Sequence, residues 1–367
     1  MFTFVMTMGF ASAWSQTISL TPSQTEGPYY APNPPLKPDF RPDVEDQTPE
    51  EWPDLIVTGR VLNQYGFPVP NAELDFWHAD AAGEYDESSV GGRNGTYILR
   101  GHLFADELGN YEFNSIMPGL YPGRTRHVHF KIFDAQGVER LTSQFYWESP
   151  FDNDVNADGT LDIPNGQSLS RDGIFRNNTD LLVEINNDPV AEGFFDTSFD
   201  FVIRTSDPAP NGEDFNGDSL VDANDLSLLY SGLKHEWNAP ALDLNGDSLV
   251  DTADITSWLS DAATKNGFDQ PYAFGDSNLD GKFDSGDLVK VFQAGHFEDG
   301  IDGNSAWAEG DWNGDFEFDT GDLVAAFQQG RYELENEVFA VPEPTGILLS
   351  IALIAAYSRF CRMATQI

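Results

Sequence analysis

The sequence predicts a mainly β chain, with a β-sandwich over residues 22–204 followed by small α-helical repeats. Three observations lead there. Short segments that alternate in polarity, or are rich in β-branched and aromatic residues, follow one another up to residue 204 with Gly, Pro or Asn between them. A twelve-residue acidic motif then recurs four times, each copy trailed by apolar residues at helical spacing. Between the two regions, Thr205-Ser-Asp-Pro-Ala-Pro-Asn-Gly reads as a linker over residues 205–213. At 367 residues the chain is also too long for one ordinary core.

Met1 to Trp14 is apolar and contains Ala11-Ser12-Ala13, a small-x-small signal-peptidase pattern, so residues 1–13 are expected to be a signal peptide. No positive n-region precedes the short apolar run, and the true start is expected upstream. Strands are expected at Leu55–Leu62, Ala72–His78, Gly109–Phe113 and His127–Phe133, with no amphipathic helix between them. Several short strands joined by tight turns favour a sandwich. Charge excludes some partners: 61 acidic against 19 basic residues give −42, which argues against nucleic acid or an anionic membrane surface. The lone cysteine, Cys361, stands near the C-terminus, so the folded part is expected to hold no disulfide and no thiolate metal site.

Chemistry concentrates in Pro118-Gly-Leu-Tyr-Pro-Gly-Arg-Thr-Arg-His-Val-His-Phe. On an extended strand side chains repeat every two residues, so His127 and His129 share one face while Val128 and Phe130 take the other. Such a pair chelates one metal, and imidazole suits Zn, Cu, Fe or Ni. Two structural histidines would look the same, so the pair alone names no ion. His78 and His102 have no ligand partner at useful spacing and are expected to be structural or exposed; Trp77 is assigned to the core.

Thr21-Pro-Ser-Gln-Thr-Glu-Gly-Pro-Tyr-Tyr, Gly59-Arg-Val-Leu, Pro68-Val-Pro-Asn-Ala, Trp77-His-Ala-Asp-Ala-Ala-Gly-Glu-Tyr and the Pro118 to Phe130 segment together resemble, in order, the intradiol ring-cleavage dioxygenases. The resemblance covers nearly all of residues 22–204 and is nearest to the protocatechuate 3,4-dioxygenase branch. It implies Fe(III) held by Tyr85, Tyr121, His127 and His129, with Tyr121 the tyrosinate that substrate displaces. Phenolate is a hard anionic donor, suited to a trivalent ion. The resemblance further implies that a catechol-type aromatic diol reacts with O2 and is cleaved between its hydroxyl-bearing carbons to a muconate-type diacid. Arg124 matches the arginine that stabilises charge building on the ring, and Gln144 a second polar residue of the pocket. Thr25, Pro28 and Tyr29 match the segment that lines the substrate pocket, whereas Arg126 is expected to be solvated or ion-paired. Only five residues separate Tyr121 from His127, where the protocatechuate enzymes have a longer loop. A more open pocket is implied, and a substrate other than protocatechuate, such as catechol, hydroxyquinol or a larger plant phenolic.

The acidic motif places oxygen donors at loop positions 1, 3, 5, 9 and 12, the pattern by which an EF-hand-like loop surrounds calcium. The candidate Ca2+ ligands are Asp214, Asn216, Asp218, Asp222 and Asp225; Asp243, Asn245, Asp247, Asp251 and Asp254; Asp276, Asn278, Asp280, Asp284 and Asp287; Asp311, Asn313, Asp315, Asp319 and Asp322. Apolar stripes follow each copy: Leu226, Leu229, Tyr230; Ile255, Trp258, Leu259; Leu288, Val291, Phe292; Leu323, Ala326, Phe327. One helix per loop, with Asp in last place, resembles dockerin type I repeats, here as pairs over 214–260 and 276–330, and implies a cohesin-like protein partner. Position 6, where an EF-hand expects glycine, is Gly281 in the third copy but Ser219, Ser248 and Phe316 in the others, which predicts weaker calcium affinity. A fifth look-alike, Asp154 to Asp162, has Asn165 in last place and is expected to be an acidic surface loop.

At the other end stand Val341-Pro-Glu-Pro-Thr-Gly, an apolar run from Ile347 to Tyr357, then Arg359 and Arg362. That run is short of the roughly 17–25 residues a membrane span needs. Residues 341–367 resemble the PEP-CTERM sorting signal, which implies sorting machinery at the membrane and a destination in the cell envelope or extracellular matrix. Two other readings stay open: a β-domain without catalysis in a calcium-dependent matrix- or scaffold-binding protein, and a zinc hydrolase on His127 and His129 that is indifferent to both tyrosines.

Overall fold

The computed structural model describes residues 18–41, 54–86, 97–147, 169, 172–186, 192–237 and 239–334. The expected signal peptide, the Asp154 look-alike loop and the sorting tail lie outside them. The chain divides into two compact units, Met1–Ala209 with Trp237–Ala241, and Pro210–Glu236 with Leu242–Ile367.

In the first unit the expected β architecture is present as two sheets. One has the order β4-β1-β8, from Asn110–Ile116, Asp54–Asn63 and Phe194–Ser198, with β9 (Phe201–Ile203) also paired to β1. The other has the order β3-β2-β5-β6-β7, from Arg100–Phe104, Glu73–Trp77, His127–Phe133, Glu139–Trp147 and Leu182–Val183. Between the sheets lies an aromatic core: the Phe76 and Phe113 rings are 4.3 Å apart and those of Phe130 and Phe201 4.5 Å. Each such ring contributes about 2 kcal/mol through area removed from water. Tyr111, buried in this core, donates its hydroxyl to the Phe199 carbonyl at 2.6 Å.

Strand alternation decides which residues are left for chemistry. Leu74 and Phe76, Leu103, and Val128, Phe130 and Ile132 enter the core. Their neighbours therefore form the opposite face. Pairing sets that face in rungs: Arg100, Trp77, His129 and Gln144 stand abreast, and two residues further along so do His102, Asp75, Lys131 and Thr142. Trp77 is buried as expected, at 2% exposure, but on the face of β2 opposite Leu74 and Phe76 and beside His129. His78 is structural as expected: its Nδ1 faces the Ala79 carbonyl and its Nε2 the Ser115 hydroxyl, both at 2.7 Å. Burial lowers its pKa to about 4 and keeps the ring neutral.

In the second unit each acidic loop leads into a helix: α1 (Ala223–Lys234), α2 (Thr252–Lys265), α3 (Ser285–Ala294) and α4 (Thr320–Gln328). The capping follows from the motif. Asp222, Asp251, Asp284 and Asp319 are N-caps, and the aspartate three residues on in each copy closes a capping box. α1 and α2 bury their stripes fully, Leu226, Leu229 and Tyr230 on one, Ile255, Trp258 and Leu259 on the other. α3 and α4 depart from expectation. Phe292 is 47% and Phe327 45% exposed, because Val291 and Ala326 take the inward positions.

Candidate active site

Two local devices bring the tyrosines to the histidine strand. After β2 the chain turns on Asp80, whose Oδ1 accepts from the Ala82 and Glu84 amides at 2.9 and 2.8 Å. Gly83 sits at φ +84, where an added Cβ would lie 2.2 Å from the Leu120 carbonyl oxygen. Only glycine allows the two loops to approach so closely. Tyr85 and Tyr121 leave from those loops, and Tyr121 begins a tight turn closed by the Arg124 amide donating to its carbonyl at 3.1 Å. The short connection noted in the sequence is this turn.

The four expected ligand residues meet. The hydroxyls of Tyr85 and Tyr121 each lie 3.3 Å from His127 Nε2. His127 and His129 have ring centroids 4.9 Å apart. His127 donates Nδ1–H to the Thr125 carbonyl at 2.7 Å, which fixes the tautomer and leaves the Nε2 lone pair facing the phenols. Both imidazoles are 2% exposed, and His129 Nδ1 has no hydrogen-bond partner. Burial, with the nearby Arg124 charge, pushes His127 down to about 3, and burial with the neighbouring His127 holds His129 well below the ordinary imidazole range. Burial also raises both phenols, against the pull of Arg124 in the case of Tyr121. Without a cation, such a site holds neutral imidazoles and protonated phenols. Two imidazole nitrogens with lone pairs and two phenol oxygens fit a hard, highly charged metal ion, which would supply the charge that favours tyrosinate.

Around these four the polar contacts converge on Arg124. Its guanidinium donates to Tyr121 Oη at 3.1 Å, to Gln144 Oε1 at 2.5 Å and to Asp172 Oδ2 at 2.9 Å. Gln144 in turn donates to the Thr25 carbonyl at 3.0 Å. Tyr29 stacks on Tyr85 with centroids 4.3 Å apart, and Gly27 packs against the His129 ring. The segment containing Thr25, Pro28 and Tyr29 thus lies against the site. Arg126 donates to the Pro118 carbonyl at 2.6 Å, on the approach to Tyr121.

Three further residues join the site that the sequence had not placed there. Trp77 stacks on His129 at 5.0 Å, and Tyr146 donates to Gln24 Oε1 at 2.6 Å and to Gln144 Oε1 at 3.2 Å. Most consequential is Asp172, whose side chain is fully buried. One of its oxygens takes Arg124 Nε and the Thr125 amide, and the other takes the Ile174 amide at 2.9 Å. Its burial alone would raise the pKa, but the Thr125 amide and the Arg124 guanidinium outweigh that and hold it below the usual carboxylate range. No local motif marks it, because its partner lies 48 residues away.

A family model described as Dioxygenase matches residues 25–205. Over 173 residues the chain is 30% identical to a protocatechuate 3,4-dioxygenase beta chain of Burkholderia cepacia, which takes in 42% of this chain and 66% of that one. Residues 25–205 match that dioxygenase family model, and this region is similar to the intradiol ring-cleavage dioxygenases. Another relative of the dioxygenase domain is a catechol 1,2-dioxygenase of Acinetobacter baylyi, 27% identical over 142 residues, or 34% of this chain and 45% of that one. The chain thus spans less than two thirds of the length of either relative. A solved dioxygenase domain from Streptomyces sp. SirexAA-E, part of a fusion with a carbohydrate-binding protein, aligns at 30% identity and a TM-score of 0.39, covering 51% of this chain and all of that one.

In the second unit the loop carboxylates hold their own backbone. In every copy the position-1 aspartate accepts from the amide at position 6: Asp214 from Ser219, Asp243 from Ser248, Asp276 from Gly281 and Asp311 from Phe316. The last aspartate, buried throughout, accepts the amides of positions 3 and 9. Position 6 is left-handed in all four loops, at φ 74, 72, 88 and 69, so the turn is kept whether or not glycine occupies it. The carboxylates of Asp311, Asp315 and Asp322 lie within 4.8 Å of one another, the one such cluster in these loops among the described residues. Burial, then the neighbouring Asp287 carboxylate, raises Asp276 to about 8. Asp214 Oδ1 is buried with no hydrogen-bond partner.

Asp172 gives the testable consequence. Its removal strands a buried guanidinium, so Asp172→Ala is expected to cost about 3 kcal/mol in urea unfolding. Because the native carboxyl titrates below the usual 3.8, the unfolded chain takes up the proton first as pH falls. Stability from this group is therefore complete above pH 4 and lost below it. Asp172→Asn should flatten that acid limb, and an unchanged limb would deny Asp172 its place in the buried pair.

Proposed function

We propose that the chain is an exported ferric intradiol dioxygenase that cleaves a catechol-type aromatic diol with O2 to a muconate-type diacid. The observation that carries this reading is the convergence of two phenols on the lone-pair nitrogen of His127, beside His129 and the Arg124–Gln144 pair. Fe(III), when bound by Tyr85, Tyr121, His127 and His129, supplies the Lewis acidity that favours the diol as its dianion and makes its ring reactive toward O2.

The remaining chemistry falls to this chain's own residues. Tyr121 Oη is the group we assign to accept a diol proton, with the Arg124 guanidinium 3.1 Å away to stabilise it as phenolate until then. Burial opposes the charge on Arg124, but Tyr121 and Asp172 outweigh it, so the guanidinium stays cationic and faces negative charge developing on the ring. Gln144, held by Thr25 and Arg124, orients the polar side of the pocket. Tyr29, stacked on Tyr85, shields that phenol from water. The tight Tyr121–Arg124 turn supports an open pocket and a diol other than protocatechuate.

For the second unit we propose dockerin-like repeats that take Ca2+ at positions 1, 3, 5, 9 and 12 and meet a cohesin-like protein. Asp214 Oδ1, buried without a hydrogen-bond partner, and the close-set carboxylates of Asp311, Asp315 and Asp322 support that reading. The terminal patterns support delivery to the cell envelope or extracellular matrix by sorting machinery at the membrane.

Oxygen uptake tests the first reading. The full chain supplied with ferric ion should consume one O2 per diol and yield the ring-opened diacid, with Arg124→Met lowering kcat about 100-fold. No uptake across a panel of diols, with iron retained, would leave the non-catalytic scaffold reading. Calcium added to the chelator-treated full chain should release heat and raise its melting temperature; absence of both would remove the calcium assignment.

A further inference from the structure

The rung next to the active site carries a second group of ligating side chains. His102 on β3 and Lys131 on β5 flank Asp75 on β2, and Glu73 follows on the same face. One ligand atom from each of Glu73, Asp75 and His102 lies within 4.8 Å of the other two. Sequence spacing had given His102 no partner, because the partner stands across a strand pair.

The surroundings of Asp75 are those of a carboxylate lacking a counter-ion. It is 3% exposed; its Oδ2 accepts from Tyr30 Oη at 3.1 Å, and its Oδ1 has no hydrogen-bond partner. Lys131 is the obvious cation to neutralise it, but the ammonium has three donors and all are spent. They go to Glu26 at 3.0 Å, Glu139 at 3.0 Å and Thr142 at 2.9 Å. A buried carboxylate oxygen left without donor or cation carries a desolvation cost that an ion would offset. His102 is prepared in the manner of a metal-bound imidazole. Its Nδ1 faces the Pro34 carbonyl at 2.8 Å, so Nε2 is the nitrogen that retains a lone pair.

We propose that Glu73, Asp75 and His102 bind a divalent cation of borderline hardness, with zinc the best match. Two carboxylates and one imidazole balance a double positive charge, and the imidazole discriminates against calcium and magnesium, which prefer oxygen alone. With three protein ligands, a fourth position remains for water. The ion serves to clamp the segment that covers the active site. Tyr30 holds Asp75, Pro34 holds His102, and the backbone on either side of His102 pairs with Pro35 and Lys37 at 3.0 Å. Tyr29, one residue before Tyr30, is the residue stacked on Tyr85. The site is thus a structural one beside the reaction centre.

Zinc is the probe. Full-length protein supplied with ferric ion and saturating calcium is dialysed against zinc, and bound metals are counted by mass spectrometry. Wild type should retain one zinc per chain and gain thermal stability from it; His102→Ala and Glu73→Gln should each weaken zinc binding at least tenfold and lose the gain. No zinc retained by wild type, or equal retention in both variants, overturns the proposal. Should a variant not fold, zinc X-ray absorption on the wild type decides: one imidazole among oxygen ligands supports the site, and two imidazoles overturn it. The comparison with His102→Ala holds whether or not iron is retained, so failure here is separable from failure of the dioxygenase reading.

Discussion

The two-residue period of one strand carries the rest of the structure. Between His127 and Phe133 every second side chain enters an aromatic core, and every other one faces away. Slipping β5 by one residue against β2 or β6 would bury both imidazoles in that core and expose Val128 and Phe130. Apolar packing worth about 2 kcal/mol per ring therefore fixes where the two imidazoles point. The pairing of β5 with its neighbours then adds Trp77 and Gln144 to the same rung as His129.

On that face the protein manages charge by enclosure. Arg124 is held by Asp172 through the guanidinium while Thr125, next in the chain, gives the same carboxylate its amide. One buried aspartate thus fixes the cation and the start of the histidine strand together. Breaking such a pair costs far more than an exposed ion pair contributes. The tyrosines are positioned by close backbone approach, with Gly83 against Leu120, and their phenols are left in an environment that favours the neutral form until a cation is present. The same face continues into the Glu73, Asp75 and His102 group, so the sheet presents adjacent rungs of imidazole and carboxylate side chains.

Much of this was legible in the sequence wherever the signal was local. His127 and His129 alternate with Val128 and Phe130, and a strand can do only one thing with that pattern. The acidic motif showed its own helix starts, because positions 9 and 12 of each loop are also the N-cap and the third helical residue. What escaped were features set by register across strands or by distant chain. Asp172 meets Arg124 over 48 residues, and His102 meets Asp75 only through the β2–β3 pairing. Trp77 is buried as its size suggests, but only the phase of β2 decides which face it takes. Phe292 and Phe327 have the spacing of buried residues, yet Val291 and Ala326 beside them are the ones that turn inward.

Whether two phenolates and two imidazoles hold one ferric ion is tested directly by the visible absorption spectrum of the iron-loaded full chain. A burgundy protein, with tyrosinate-to-iron charge-transfer absorption that weakens in Tyr121→Phe and in Tyr85→Phe, is the predicted result. A protein that retains iron through His127 and His129 but is colourless would contradict it.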